Sequence, residues 1–216
     1  MRALSAGLEN LGRRAAGRYG RIADEAGELA LLAARAVRSL ATPPWETRVW
    51  LAQMEQIGVR SFGVAAITTV FTGMVLALQT ALALPGLGVK YYIGTVVSKS
   101  TVRELVPVLV ALIVGGRIGS GMTAEIGTMK VTEQVDAMRA MAADPVRKLV
   151  VPKLAAALVM LPALTLIGDV LGILGGLVIA VLQLQLTASF YWNDVISALT
   201  LEDFASGLGK SFFFAF

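Results

Sequence analysis

Apolar residues in this chain gather into long runs separated by short charged stretches, a pattern that predicts buried helices rather than half-exposed strands. From Ser61 to Val89 there is no charge at all, and at about 1.5 Å per residue the stretch 61–84 crosses a hydrocarbon core of roughly 30 Å. Pro85-Gly86 and Gly88 end this first span, with Lys90, Tyr91 and Tyr92 as an interfacial anchor. A second span is predicted over 101–124, charge-free from Leu105 to Gly116 and flanked by Arg103-Glu104 and Arg117. The third occupies the long segment 149–186, which carries only Lys153 near its start and Asp169 inside. Residues 187–210 then hold Asp194, Glu202, Asp203 and Lys210 before the apolar stub 211–216, which reads as the opening of a fourth span starting at 211. On this pattern the chain is expected to continue beyond its C-terminus. The fold class is an all-α integral membrane protein: interfacial helices over 1–60, then a transmembrane domain over 61–216.

The segment before the first span has a different pattern. Over 20–41, Ile22, Ala26, Leu29, Ala33, Ala36, Val37 and Leu40 recur at helical spacing while Arg21, Asp24, Glu28, Arg35 and Arg38 fall largely elsewhere, predicting an amphipathic helix lying on the membrane. Thr42-Pro43-Pro44-Trp45 breaks it, Trp45 and Trp50 suit headgroup depth, and a second short interfacial helix is predicted over about 45–60. This basic segment is too long for a signal peptide.

Charge adds orientation. Nine of the nineteen basic residues are arginines in the first sixty positions, five more lie between Lys130 and Lys153, and one follows the third span. Positive charge collects on the cytoplasmic side, so the N-terminus and the 125–153 loop are expected there and the segments 85–100 and 187–210 outside. Composition agrees: 56% of the 216 residues are hydrophobic and 16% charged, against about 25% charged in soluble domains. With no cysteine and no histidine, disulfides, thiol nucleophiles, the usual zinc sites and the commonest general base are excluded. The pI near 9.6 fits a membrane surface better than nucleic acid, given where the arginines lie.

Several residues stand out against this background. In the loop after the second span, Val131, Val135, Met138 and Met141 follow a helical stripe with Glu133, Asp136 and Arg139 elsewhere, suiting a helix that docks in a partner's groove, or one that packs on its own subunit. Asp144-Pro145 marks the end of that short helix. Small residues recur at four-residue spacing, Ala111, Gly115 and Gly119 on the second span and Gly168, Gly172 and Gly176 on the third, as helix-packing stripes. The run from Gly115 to Gly121 lacks the Gly-Lys-Ser/Thr ending of a phosphate loop, so nucleotide binding by this chain is not expected, and if transport is ATP-driven another subunit must supply the ATPase. Arg103 and Glu104, adjacent on a helix, point in different directions and either meet a zwitterionic headgroup or snorkel to water. Arg117 and Asp169 differ in depth by roughly 20 Å and do not pair. Gln79 and Thr80, with Thr68, Thr69 and Thr72, suit interhelical hydrogen bonds.

Taken in order, Phe71-Thr-Gly-Met-Val-Leu-Ala-Leu-Gln79, Arg103-Glu-Leu-Val-Pro-Val108, Gly116-Arg-Ile-Gly-Ser120, Ala124-Glu-Ile-Gly127, Glu133-Gln-Val-Asp-Ala137 and Asp144-Pro145 resemble the MlaE/YrbE family of ABC lipid-transport permeases. The resemblance covers the chain from about Gln56 onward, with a poor match over 85–100. It implies a homodimer with five spans per subunit in the bacterial inner membrane and a cytoplasmic coupling helix over about 128–142. Its implied partners are an ABC ATPase (MlaF-like) that binds the ATP and Mg, an accessory subunit (MlaB-like) and an MCE-domain protein (MlaD-like) on the periplasmic side, with phospholipid as cargo. The matching lipid-binding positions are Leu76, Gln79, Leu84, Arg103, Glu104 and Leu105. The matching ATPase-coupling positions are Glu125, Met129, Val131, Glu133, Gln134, Val135, Asp136 and Met138. No cofactor, metal site or catalytic residue is expected in this chain. Two other readings compete: an intramembrane lipid-modifying enzyme, which would need a carboxylate partner for Asp169, and a scaffold that transports nothing.

Overall fold

A computed structural model describes residues 2–40, 47–83 and 92–216, with side chains described from Gly20 onward except at residue 22. The breaker Thr42 to Trp45, the turn and anchor from Pro85 to Tyr91, and Leu84 lie outside the described residues. Among those residues the chain is helical and has no strand: α1 Arg2–Leu40, α2 Thr47–Met54, α3 Arg60–Ala83, α4 Ile93–Ser100, α5 Val106–Val131, α6 Gln134–Ala140, α7 Val151–Leu182, α8 Ala188–Ala198 and α9 Leu201–Ala215.

Three short π-helical turns, Glu55–Val59, Thr101–Leu105 and Val146–Val150, fuse neighbouring helices instead of breaking them. The results are three continuous helices, Thr47–Ala83, Ile93–Val131 and Val146–Leu182, each long and apolar enough to cross a membrane. At 37 to 39 residues each is about 56 Å long or more, so its ends stand well clear of a hydrocarbon core of roughly 30 Å.

Three expected boundaries move. The separate interfacial helix expected over 45–60 is instead the first part of the first long helix, because each residue from Thr47 on is compatible with helix and the extra residue is absorbed in a π turn. The second long helix begins at Ile93 rather than 101, its start capped from a distance: Asp194 on α8 accepts from the Thr95 backbone N–H (2.8 Å) and Thr95 Oγ1 (2.5 Å). The last helix begins at Leu201, ten residues before the apolar stub, because Thr200 and Asp203 form a capping box there.

Helix α7 is the centre of the bundle, with α3 running along it and α5 and α9 packing beside it. Glycines set the spacing. A Cβ on Gly73 would lie 1.8 Å from the Gly172 carbonyl oxygen, and one on Gly175 2.2 Å from that of Val70. Backbone therefore touches backbone where α3 crosses α7, the close approach that small residues permit inside a bilayer. The Gly168, Gly172 and Gly176 stripe is a packing surface, meeting Val106 and Thr69, Thr101, and Tyr191 and Val97 respectively. The stripe on the second span is not: Gly115 and Gly119 have no atom within reach of a Cβ, and only Ala111 joins the core.

One apolar core cluster gathers Ile57, Ala65, Val106, Val110, Val114, Ala156 and Leu161; a second gathers Ala77, Ile93, Val97, Val102, Ile173, Tyr191 and Val195. Tyr191 reaches from α8 to donate its hydroxyl hydrogen to the Ile173 carbonyl (3.0 Å). Helix α1 rests its buried Ala36 side near the foot of α7 while Leu29, Leu31 and Leu32 stay exposed.

Candidate functional site

On the outer flank of α3 the side chains Ile67, Phe71, Val75 and Leu76, with Thr68, Thr72 and Gln79, face Leu105 across an open cleft of about 600 Å³. The spacing 68, 72, 75, 76 and 79 is one helix face, and its hydroxyls are turned inward: Thr68 donates to the Val64 carbonyl and Thr72 to that of Thr68. With those hydroxyls satisfied, the wall presented is apolar apart from the Gln79 amide. Of the expected lipid-binding positions, the structure brings Leu76, Gln79 and Leu105 together in this cleft.

Arg103 and Glu104 sit on the same π turn as Leu105, Thr101–Leu105, but do not line the cleft. They do not pair with each other. Arg103 meets Asp203 (3.5 Å), and Glu104 meets Lys210 (2.7 Å), whose ammonium also donates to the Arg103 carbonyl (2.7 Å). Both partners belong to α9, so two ion pairs lace its length to the rim of the cleft. Asp203 is fixed further, accepting from the Thr200 backbone N–H and from its hydroxyl (2.9 Å each). These bonds, strengthened by Lys99 and Arg103, hold its carboxyl below the usual carboxylate range. Asp203 and Lys210 carry no signal as a site in the sequence; they are found only once α9 is seen to pack on the π turn.

At the other end of α5 lies the loop expected to be one helix over 128–142. It is two. Helix α5 runs on to Val131, Thr132 turns back to donate its hydroxyl hydrogen to the Thr128 carbonyl (2.8 Å), and Glu133 takes a left-handed conformation (φ 57°) before α6 begins. Lys130 closes the turn onto Asp136 (2.6 Å), which also meets Arg139 (3.5 Å), and the Lys130 hydrogen bond draws the Asp136 carboxyl below its ordinary range. The apolar stripe is divided accordingly: Val135 is buried, Met138 half-buried, and Val131 and Met141 stand 85% and 74% exposed. Gln134 is exposed at the start of α6, Met129 is half-buried on α5, and Glu125 is tied to Lys153 on α7.

Asp144-Pro145 begins the next helix rather than ending the last, since Asp144 Oδ1 accepts from the Val146 N–H (2.9 Å) as a cap does and proline is favoured at a first helical turn. Within the spans, Arg117 donates to the Arg60 backbone carbonyl and Asp169 is buried with its Oδ1 unpartnered, so no Arg117–Asp169 pair forms.

Comparison with known proteins decides what this arrangement belongs to. Residues 50–216 match the family model described as Permease MlaE. The chain belongs to the MlaE permease family. A probable ABC transporter permease protein of Rickettsia typhi is 41% identical over 196 residues, 91% of this chain and 76% of that protein. One from Synechocystis is 42% identical over 164 residues, covering 76% and 62%. The intermembrane phospholipid transport system permease protein MlaE of Haemophilus influenzae is 35% identical over 164 residues, covering 76% and 63%. This MlaE-family chain is thus a multi-pass ABC transporter permease rather than an enzyme, and both the cleft and the loop lie inside the matched region.

Proposed function

We propose that this permease moves phospholipid between the bacterial inner membrane and a periplasmic MCE-domain protein, as one half of a homodimer driven by a separate ATPase. The observation that carries the reading is the open apolar cleft along α3, with Leu105 on its wall and the charges of Arg103 and Glu104 on the same π turn as Leu105. An acyl chain gains about 0.8 kcal/mol per methylene on leaving water, so the apolar wall suits a tail. Arg103 and Glu104 keep 52% and 63% of their side-chain surface exposed despite their pairing with α9, and so offer a cation and an anion to a zwitterionic headgroup. The relative named for intermembrane phospholipid transport supports the same cargo.

Mechanically, α5 is the link. It is unbroken from Val106, beside the cleft, to Val131 at the loop, about 39 Å. A partner ATPase that grips Val131, Met141 and the α6 turn on the cytoplasmic side would push this rod lengthwise. The π turn at Thr101–Leu105, where an extra residue is held per turn, is where such a push can be taken up, shifting Leu105 and the Arg103 and Glu104 pairs together. ATP and Mg belong to the partner, and the chain itself supplies shape and charge.

The complex retrieved with this chain from bacterial membranes is expected to carry the ATPase and, in native mass spectrometry, co-purified phospholipid. Val131→Glu with Met141→Glu should cut ATPase recovery at least tenfold while phospholipid stays bound. Recovery of ATPase at the wild-type level would remove the coupling role of this loop, and a complex free of phospholipid would favour a scaffold.

A further inference from the structure

A second cavity lies at the opposite end of the bundle from the charged rim, where α3, α5 and α7 meet. It encloses about 140 Å³ and is lined by Gln53, Arg60, Ser61, Arg117, Glu125 and Lys153 among others. Arg60, Arg117 and Lys153 are, on their three helices, the last charges before the charge-free stretches 61–83, 105–116 and 154–168. Three unrelated positions in sequence therefore bring a cation to the same depth, the edge of the hydrocarbon, and the fold turns all three into one pocket.

These charges are not used up within the chain. Among the described residues no carboxylate lies within ion-pair reach of either guanidinium; Arg117 spends one donor on the Arg60 carbonyl, leaving most of its five. Lys153 is only 6% exposed along its side chain and is paired with Glu125, leaving two ammonium hydrogens. Three cations and one carboxylate leave two positive charges on the cavity wall. Ser61 gives an independent sign: it is 1% exposed, yet its Oγ has no hydrogen-bond partner, although a helical serine ordinarily bonds the carbonyl four residues back. A buried hydroxyl and two incompletely used guanidiniums around one cavity are a ready-made set of donors for tetrahedral oxygens.

We propose that this cavity binds the phosphate group of a membrane phospholipid, a site separate from the α3 cleft and independent of whether that cleft carries cargo. The membrane as source follows from depth and from the neighbouring surface, since Val59, Phe62 and Val64 flank Arg60 and Ser61 and stand exposed to acyl chains. Bidentate guanidinium contacts from Arg60 and Arg117 to phosphate oxygens hold the headgroup, with Ser61 donating a further hydrogen bond and Gln53 an amide hydrogen.

The full chain in detergent, titrated with dihexanoyl phosphatidylglycerol and followed by native mass spectrometry, tests this. Wild type is expected to take up one more lipid than Arg60→Gln with Arg117→Gln, whose affinity at this site falls at least tenfold, and Ser61→Ala should lose about threefold. Dihexanoylglycerol, which lacks the phosphate, should bind wild type and double variant alike. Full displacement of the lipid by equimolar sodium phosphate would overturn the lipid assignment in favour of a free anion. Equal uptake of phosphatidylglycerol by wild type and double variant would overturn the site altogether. Should the double variant fail to give a cooperative melt, Ser61→Ala decides, and unchanged affinity there overturns the proposal.

Discussion

Arg103 and Glu104 show what single residues contribute and how far they can be read alone. Their adjacency says that they point apart; only α9 says what each points at, Asp203 and Lys210. Because Asp203's carboxyl is lowered by its hydrogen bonds from Thr200, its contribution to capping α9 is fully present above the unfolded value of about 4 and disappears as pH falls through the lower folded value. Thermal melts of the wild type are therefore expected to be flat for this group from pH 5 to 8 and to fall below about pH 4. Asp203→Asn should melt lower throughout the neutral range and lack that acid dependence. A second residue prediction concerns the end of α6, where Ala142 (φ 58°) donates its N–H to Arg139 (3.0 Å) and Ala143 donates to Met138 (2.9 Å), the bonds of a helix terminus that favours glycine. Ala142→Gly removes a Cβ from a left-handed position and should stabilise the protein by about 1 kcal/mol in denaturant titrations.

At the scale of elements, the glycine contacts between α3 and α7 are the most demanding feature. Gly73→Ala or Gly175→Ala drives a methyl into facing backbone and should cost about 1–3 kcal/mol, visible as a lowered melting temperature. Gly115→Ala, with open space around it, should cost little by the same measurement. The number of long apolar helices was legible because hydrophobic runs are a direct physical record of bilayer depth. Where helices join was not, since π turns leave no mark in the pattern of apolar residues. The Gly168, Gly172 and Gly176 stripe could be read from spacing, but Gly73 and Gly175 could not be told from unpacked glycines such as Gly119 without knowing which faces meet. In the same way Leu76, Gln79 and Leu105 became a cleft only when α3 and the π turn before α5 were placed side by side, and the single loop helix became two because Glu133 adopts a conformation that no periodicity encodes.

For the whole molecule, the central relation is distance: the cleft and the loop lie at opposite ends of one unbroken α5, and the α9 ion pairs lock the cleft end. On the proposed mechanism, a permease of this form couples by moving a rod, not by carrying chemistry. A charge placed in the cleft wall should therefore stop lipid movement while leaving ATP hydrolysis by the assembled complex within about twofold of wild type. The most direct measurement is ATP-dependent transfer of a fluorescent phospholipid by the complex in proteoliposomes, comparing wild type with Leu76→Glu. ATP-dependent transfer by the wild type that falls at least tenfold in Leu76→Glu is the predicted result; wild-type complex that hydrolyses ATP without moving lipid, or equal transfer by Leu76→Glu, would contradict the account.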